Sequence, residues 1–213
     1  MSRPSHGVTA AERGFSLIVV LLLLGIVMVL AVSAAQLALV NEASARSDRD
    51  TEIALQAAEA ALVDAERDVL GPNADAAARL CLFNNRDIAA FAEGCGAGRS
   101  LGLCAGAAPG ATPAWMAADL SPASAVAVPY GQFTGQAYVA GDDRGAVPAH
   151  LPRYIVEAIR HNGGWEGSRL QGAGAGEATH LFRVTAVGFG VDARTQVMLQ
   201  TTLYKSMASP GCP

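Results

Sequence analysis

Lysine is almost missing from these 213 residues: Lys205 is the single example, and the remaining basic residues are arginines. Basic and acidic residues number 15 and 19, for a net charge of −4, and no run or cluster of positive charge stands out. That balance excludes a nucleic-acid-binding surface as the leading function. The sequence contains no C-x-x-C and no cysteine–histidine set at zinc-finger spacing. It also lacks H-E-x-x-H, G-x-S-x-G and the phosphate-binding P-loop. The glycine-rich run 172–176 lacks the third glycine of a dinucleotide fingerprint at its proper spacing. His150, His161 and His180 stand far apart and read as surface or turn residues. Asp142 and Asp143 are adjacent but do not form an EF-hand pattern, and they read as a solvated turn. The expectation is therefore a protein with no catalytic residue, no metal site and no cofactor.

Charge is absent altogether from residues 15–40, FSLIVVLLLLGIVMVLAVSAAQLALV. As a helix these 26 residues extend about 39 Å at about 1.5 Å per residue, against a bilayer hydrocarbon core of about 30 Å. The segment can span a membrane with some tilt. Arg3 and Arg13 precede it, and no further basic residue appears until Arg46, an asymmetry that favours an N-terminus inside and a head outside. Two rival readings are a secretory signal cut after Ala34 and a permanent signal anchor. The apolar run is longer than the usual 7–15 residues of a signal's hydrophobic region, and it continues through Leu37, Leu39 and Val40 past the small-residue site.

Proline is missing from residue 15 to residue 70, so nothing forces a kink. Residues 41–70 are rich in alanine, glutamate, arginine and leucine, all good helix formers. Leu55, Leu62 and Val69 recur every seven residues, with Ile53, Ala58, Ala61 and Ala65 close to the same side; Glu59, Glu66 and Arg67 can face water. The pattern predicts one helix over about 16–70, roughly 80 Å long, stopped by Gly71-Pro72.

The remainder reads as a small α+β head. A short helix is expected near residues 75–83 and a cysteine-containing loop near 94–110, with Trp115 and Met116 beneath it. Strands are expected at 132–140, 153–159, 181–188 and 196–204, forming an antiparallel sheet of about four strands on the second half of the helix. Residues 162–178 form a glycine-rich surface insertion in which Trp165 either folds back on the sheet or anchors a partner. Cys81, Cys95, Cys104 and Cys212 are an even set in an exported chain, which favours two disulfides. All three connectivities are open; the leaning is Cys81 with Cys95 and Cys104 with Cys212, the second tying the C-terminus to the middle of the head.

The run Arg13-Gly14-Phe15-Ser16-Leu17-Ile18 resembles the processing site of type IV prepilins and type II secretion pseudopilins. The resemblance implies cleavage after Gly14 by a prepilin peptidase and methylation of the new N-terminal Phe15, with the apolar helix retained. RGFSLIVVLLLL, together with QAAEAALVDAE at 56–66 and FRVTAVGFGVDARTQVMLQTTLYK near the C-terminus, is similar to the PilX family of type IV pilus assembly proteins. The similarity covers residues 13–70 and about 181–205. It implies a type IV pilin-like fold divided into a leader (1–14), a membrane and assembly half-helix (15–40), an amphipathic half-helix (41–71) and a periplasmic head (72–213). Major pilins carry a glutamate four residues after the mature N-terminus; here that position is Val19. GspK, the tip pseudopilin of type II secretion, also lacks it. The resemblance therefore implies a minor pilin that initiates or caps the fibre and supports adhesion, twitching motility or DNA uptake. It implies a place first in the inner membrane and then at the pilus tip. The implied partners are other minor pilins, the major pilin, the prepilin peptidase and a PilY-family tip adhesin. GspK-like pilins are associated with calcium. A type II secretion pseudopilin of the GspK type is the nearest alternative, although such members usually carry a sizeable helical insertion.

Overall fold

The computed structural model describes residues 15–73, 77–84, 86–138, 147–161 and 179–205, with the backbone alone for residues 15, 16, 77, 161 and 179. The elements in order are helix α1 (Phe15–Leu70), α2 (Ala77–Leu80), a 3-10 turn (Gly98–Ser100), β1 (Leu103–Ala105), α3 (Ala114–Ala117), β2 (Val128–Pro129), β3 (Arg153–His161), β4 (Thr179–Phe189) and β5 (Gln196–Leu203). The chain divides into two compact units, Met1–Asp48 and Arg49–Pro213.

In the first unit, α1 is helical from Phe15 onward and its large apolar side chains from Leu17 to Val40 face outward. Helix α1 ends where a residue without a Cβ can turn the chain: Gly71 has φ +86° and donates its N–H to Arg67 O at 2.8 Å, before a cis Gly71–Pro72 peptide.

In the second unit, α1 buries a stripe of small residues, Ala54, Ala57, Ala58, Ala61, Ala65 and Val69. Leu55 and Leu62, expected at the centre of the stripe, are half-buried on its flank. The small side chains allow a close helix–sheet approach. At Gly188 of β4, a Cβ would collide with the backbone of Ala54 and Ala58. Larger residues fill the space to either side: Tyr154 and Val156 on β3, Phe182 and Val184 on β4, and Phe83 and Phe91 from the preceding loops, all buried. Phe83 meets Phe182 edge-on at 5.7 Å between centroids, and Phe91 stacks on Phe182 at 5.5 Å.

The sheet order is β1-β3-β4-β5, with β2 also paired to β3. The β3–β4 and β4–β5 pairs are antiparallel and regular, with Tyr154 opposite Ala186 and Ala186 opposite Leu199. The expected purely antiparallel sheet is corrected here. β1 runs parallel to β3, Leu103 opposite Val156, so the sheet is mixed and five-stranded. The expected strand at 132–140 is also corrected: residues 131–134 are a turn and 135–138 are irregular. Gly131 and Gly135 both have positive φ, and Gly135 donates to Gly131 O at 3.0 Å, which curls the chain away from any ladder. The short helix expected at 75–83 is one turn, Ala77–Leu80.

The other face of the sheet carries a second core of Cys104, Leu120, Ala127, Ile155, Val187 and Phe189, against which half-buried Trp115 packs. Met116, expected beside it, is exposed, because the single turn α3 (Ala114–Ala117) cannot bury both of these neighbouring side chains on one face. The favoured cysteine pairing is corrected as well, because the disulfide joins Cys95 to Cys104. The loop returns on itself: Gly96 N–H donates to Leu103 O at 3.0 Å and Ala92 bridges to Cys104, which brings the two cysteines together. Cys81 is also disulfide-bonded. Cys212, Gly14, the Asp142–Asp143 turn and the 162–178 insertion with Trp165 lie outside the described residues. Of the histidines, His150 is exposed with its ring edge-on to Phe189, while His180 on β4 is buried rather than at the surface.

Candidate assembly helix and the polar spine of the head

Among the described residues the longest exposed apolar surface is the first half of α1. Leu17, Ile18, Leu21, Leu22 and most of their neighbours are more than half exposed, and none of the large apolar side chains from Leu17 to Val40 is buried. Among the described residues this is the one helix long and apolar enough to cross a membrane. Each such side chain moved out of water contributes about 1–3 kcal/mol, so leaving the run in water is costly by tens of kcal/mol. Val19 lies on this surface, one helical turn beyond Phe15, and is 37% exposed. The first charges after the run are an exposed pair one turn apart, Arg46 Nη2 to Glu42 Oε1 at 2.5 Å.

The part of α1 inside the head carries a second feature that the apolar pattern hid. Asp64 and Asp68 sit on the buried stripe, one turn apart, and are essentially unexposed. Asp68 receives Arg79 Nε at 2.8 Å on each carboxylate oxygen, Tyr154 Oη at 3.0 Å and Asn73 Nδ2 at 3.4 Å. Arg79 is itself buried; its Nη1 donates to Arg99 O and its Nη2 to Leu101 O at 2.9 Å, while the Phe133 ring lies 3.6 Å from its Cζ. Asp64 accepts the Gly131 N–H at 2.8 Å and the Thr134 hydroxyl. At the helix end, Lys205 Nζ donates to Val69 O at 2.7 Å and Leu80 O at 3.0 Å.

Burial raises the carboxyls of Asp64 and Asp68 above their ordinary range. The Arg79 charge opposes this at Asp68, and the Thr134 and Gly131 hydrogen bonds oppose it at Asp64. Burial, with the Asp68 charge beside it, pushes the Tyr154 hydroxyl well up. Burial lowers Lys205, and the Asp68 charge opposes the shift. These groups fasten α1 to four separate segments of the head. A buried ion pair of this kind fixes which arrangement forms more than it adds net stability.

Two further ties complete the head. Asp50, half-buried on α1, accepts the N–H groups of Val191 (2.5 Å) and Asp192 (3.2 Å) in the β4–β5 turn. On the opposite face of the sheet, buried Glu157 accepts Arg183 Nη2 at 2.5 Å and the Ala114 N–H at 3.3 Å, which holds α3 over the second core.

The sequence pattern assigns no role to Asp50, Asp64, Asp68, Arg79, Glu157 or Lys205, although Lys205 is conspicuous as the single lysine. A signal existed for two of them: Asp64 and Asp68 follow Ala54, Ala57, Ala58, Ala61 and Ala65 at helical spacing, on the same face. Of the residues the sequence did single out, Val19 is exposed on the apolar helix, Cys95 and Cys104 are bonded to each other, and Phe15 begins α1.

An outward-facing, charge-free N-terminal helix half followed by a helix-backed sheet head defines an α+β, type IV pilin-like protein. The family model of the PilX N-terminal region matches residues 13–63, and that of the C-terminal region of the type IV pilus assembly protein PilX matches residues 100–205. The chain belongs to the PilX family of type IV pilus assembly proteins. No curated protein and no solved structure matches it.

Proposed function

We propose that the protein is a minor pilin that starts or caps a type IV pilus. In this reading, residues 1–14 are a leader removed by the prepilin peptidase after Gly14, and Phe15 becomes the methylated N-terminus. The helix waits in the inner membrane, head in the periplasm, and then moves into a bundle with other minor pilins and the major pilin. At the cell surface it sits at the tip, in reach of a PilY-family adhesin, and serves adhesion, twitching or DNA uptake.

The observation that carries the tip assignment is Val19. A carboxylate at that position would be costly in an apolar bundle unless a neighbour's amine paired with it. Valine escapes that cost and also leaves the subunit unable to neutralise the terminal amine of a neighbour. A subunit of that kind suits the end of the fibre. The head's small size disfavours the type II secretion alternative: among the described residues its two helices after α1 have four residues each.

N-terminal sequencing of the mature chain tests the processing step. Methylated Phe15 supports the reading, an intact Met1 indicates a permanent anchor, and Ala35 indicates a secreted protein. Val19→Glu tests the placement: piliation and subunit position unchanged by that substitution would remove Val19 from the argument.

A further inference from the structure

We infer that strand β5 is a docking edge, and that a strand of another pilus subunit pairs with it to extend the sheet of this head. The inference rests on the reading of the protein as a pilus subunit, which determines who supplies the strand.

β5 is the last strand of the sheet, and among the described residues none pairs with its outer side. Its sequence, QVMLQTTL, has no charge and no proline. Its register with β4 advances one residue at a time from Phe189–Gln196 to Phe182–Leu203, without a bulge. Natural sheets normally guard an edge of this length with lysines, prolines or bulges, because an unguarded edge recruits another strand. The opposite edge is treated differently: β1 has three residues and Ala92 bridges to Cys104 on it.

The backbone groups on offer follow from the register. Gly190 N–H donates to Thr195 O at 2.8 Å across the hairpin. Alternation of an antiparallel ladder then turns the N–H and C=O of Met198, Gln200 and Thr202 outward, away from β4.

Side chains point to the same occupant. Leu199 and Leu203 lie opposite Ala186 and Phe182, which have no exposure, yet both leucines, though partly buried, keep some of their surface open at the edge. A further strand alongside would cover them. The incoming segment is therefore extended, apolar at alternate positions toward α1, and of mixed polarity on its other face, where Met198, Gln200 and Thr202 are exposed. A second copy paired edge to edge fits poorly. Two β5 strands pair symmetrically only in antiparallel fashion, about an axis normal to the sheet, and that operation runs the two helices packed on the sheets in opposite directions. Subunits of one bundle share a direction.

The test is hydrogen exchange of the Met198, Gln200 and Thr202 amides, comparing the full chain in lipid nanodiscs with the same chain in purified pili. The expected result is fast exchange in nanodiscs and at least tenfold slower exchange in pili. Equal rates in both would overturn the inference, as would amides already slow in nanodiscs, since the edge would then be covered by the chain itself or by a second copy. Absence of the chain from pili would overturn this inference together with the proposed function, whereas presence with unprotected amides would overturn this one alone. Met198→Pro removes one outward N–H and is expected to lower recovery in pili at least tenfold with an unchanged melting temperature. Met198→Val keeps the N–H and is expected to leave recovery unchanged; equal recovery of both variants would overturn the inference. Should the proline variant fold poorly, the exchange comparison on the unaltered chain decides alone.

Discussion

Arg79 Nε lies 2.8 Å from both carboxylate oxygens of Asp68, and both side chains are buried. The pair joins the last turns of α1 to a single turn of helix eleven residues on and, through the remaining guanidinium nitrogens, to the loop that precedes β1.

Removing one member leaves the other as an uncompensated buried charge. Asp68→Ala or Arg79→Ala is expected to destabilise the head by about 3–5 kcal/mol. The joint replacement Asp68→Leu with Arg79→Met is expected to cost less than either single change. Urea unfolding of the purified full chain followed by head fluorescence checks both; a double variant less stable than both singles would contradict the account.

Lys205 is expected to matter through its two carbonyl acceptors rather than its charge. Lys205→Met leaves Val69 O and Leu80 O without that donor, a loss of about 1–3 kcal/mol. Faster amide exchange should be confined to the end of α1 and to α2. Uniform acceleration across the sheet is the contrary result.

Gly188→Ala places a methyl group against helix backbone, which cannot swing aside as a side chain can. The expected penalty is about 1–3 kcal/mol or more, measured as a fall in melting temperature. A neutral substitution would mean that α1 stands further from β4.

The pH dependence follows from two sets of carboxyls. Asp64 and Asp68 are raised above 3.8 by burial, so their contributions are full below that value and are lost as pH rises through their folded-state pKa values. Asp50 and Asp119 are lowered from 3.8 by hydrogen bonds, from Thr195 and Ser121 respectively, and Asp192 is lowered to about 2 by its hydrogen bonds with Arg194. Their contributions are full above 3.8 and lost as pH falls through their lower folded-state values. Stability is thus expected to rise as pH falls through the raised folded-state values and to fall again on acidification below 3.8. Asp64→Asn should weaken the upper limb and leave the lower limb in place; an upper limb unchanged by that substitution would be inconsistent.

Reduction of the Cys95–Cys104 bridge frees a loop with a sequence separation of 9. The chain-entropy cost for so short a loop is about 2–3 kcal/mol. Cys95→Ser should show that loss, and a non-reduced peptide map should recover Cys95 and Cys104 in one linked fragment.

Much of this fold could be read from local pattern. The uncharged run before Glu42, the Gly71-Pro72 stop and the alternation in β3, β4 and β5 all express a period or a break that a window of residues contains. The misses share a different cause. Residues 132–138 have strand-like composition, but the Gly131 and Gly135 turns and the grip of Asp64 on Gly131 and Thr134 prevail. Cys104 pairs with Cys95 because the loop between them turns back on β1, where Gly96 N–H meets Leu103 O, a closure that cysteine spacing alone does not reveal. Asp68 meets Tyr154 across 86 residues and Lys205 meets Val69 across 136. At the candidate site, the outward apolar helix and Val19 were legible because they depend on local composition, while the buried carboxylates depend on partners supplied by distant segments.

The hairpin formed by β4 and β5 is strapped to α1 at both extremities. Asp50 holds its turn, and Lys205, just beyond its free end, holds the carbonyl of Val69. The two anchorages are separated by about 28 Å of helix. A pull along the helix axis therefore loads the straps together, in shear, instead of unzipping them in succession. That is the stronger way to join a rod to a plate.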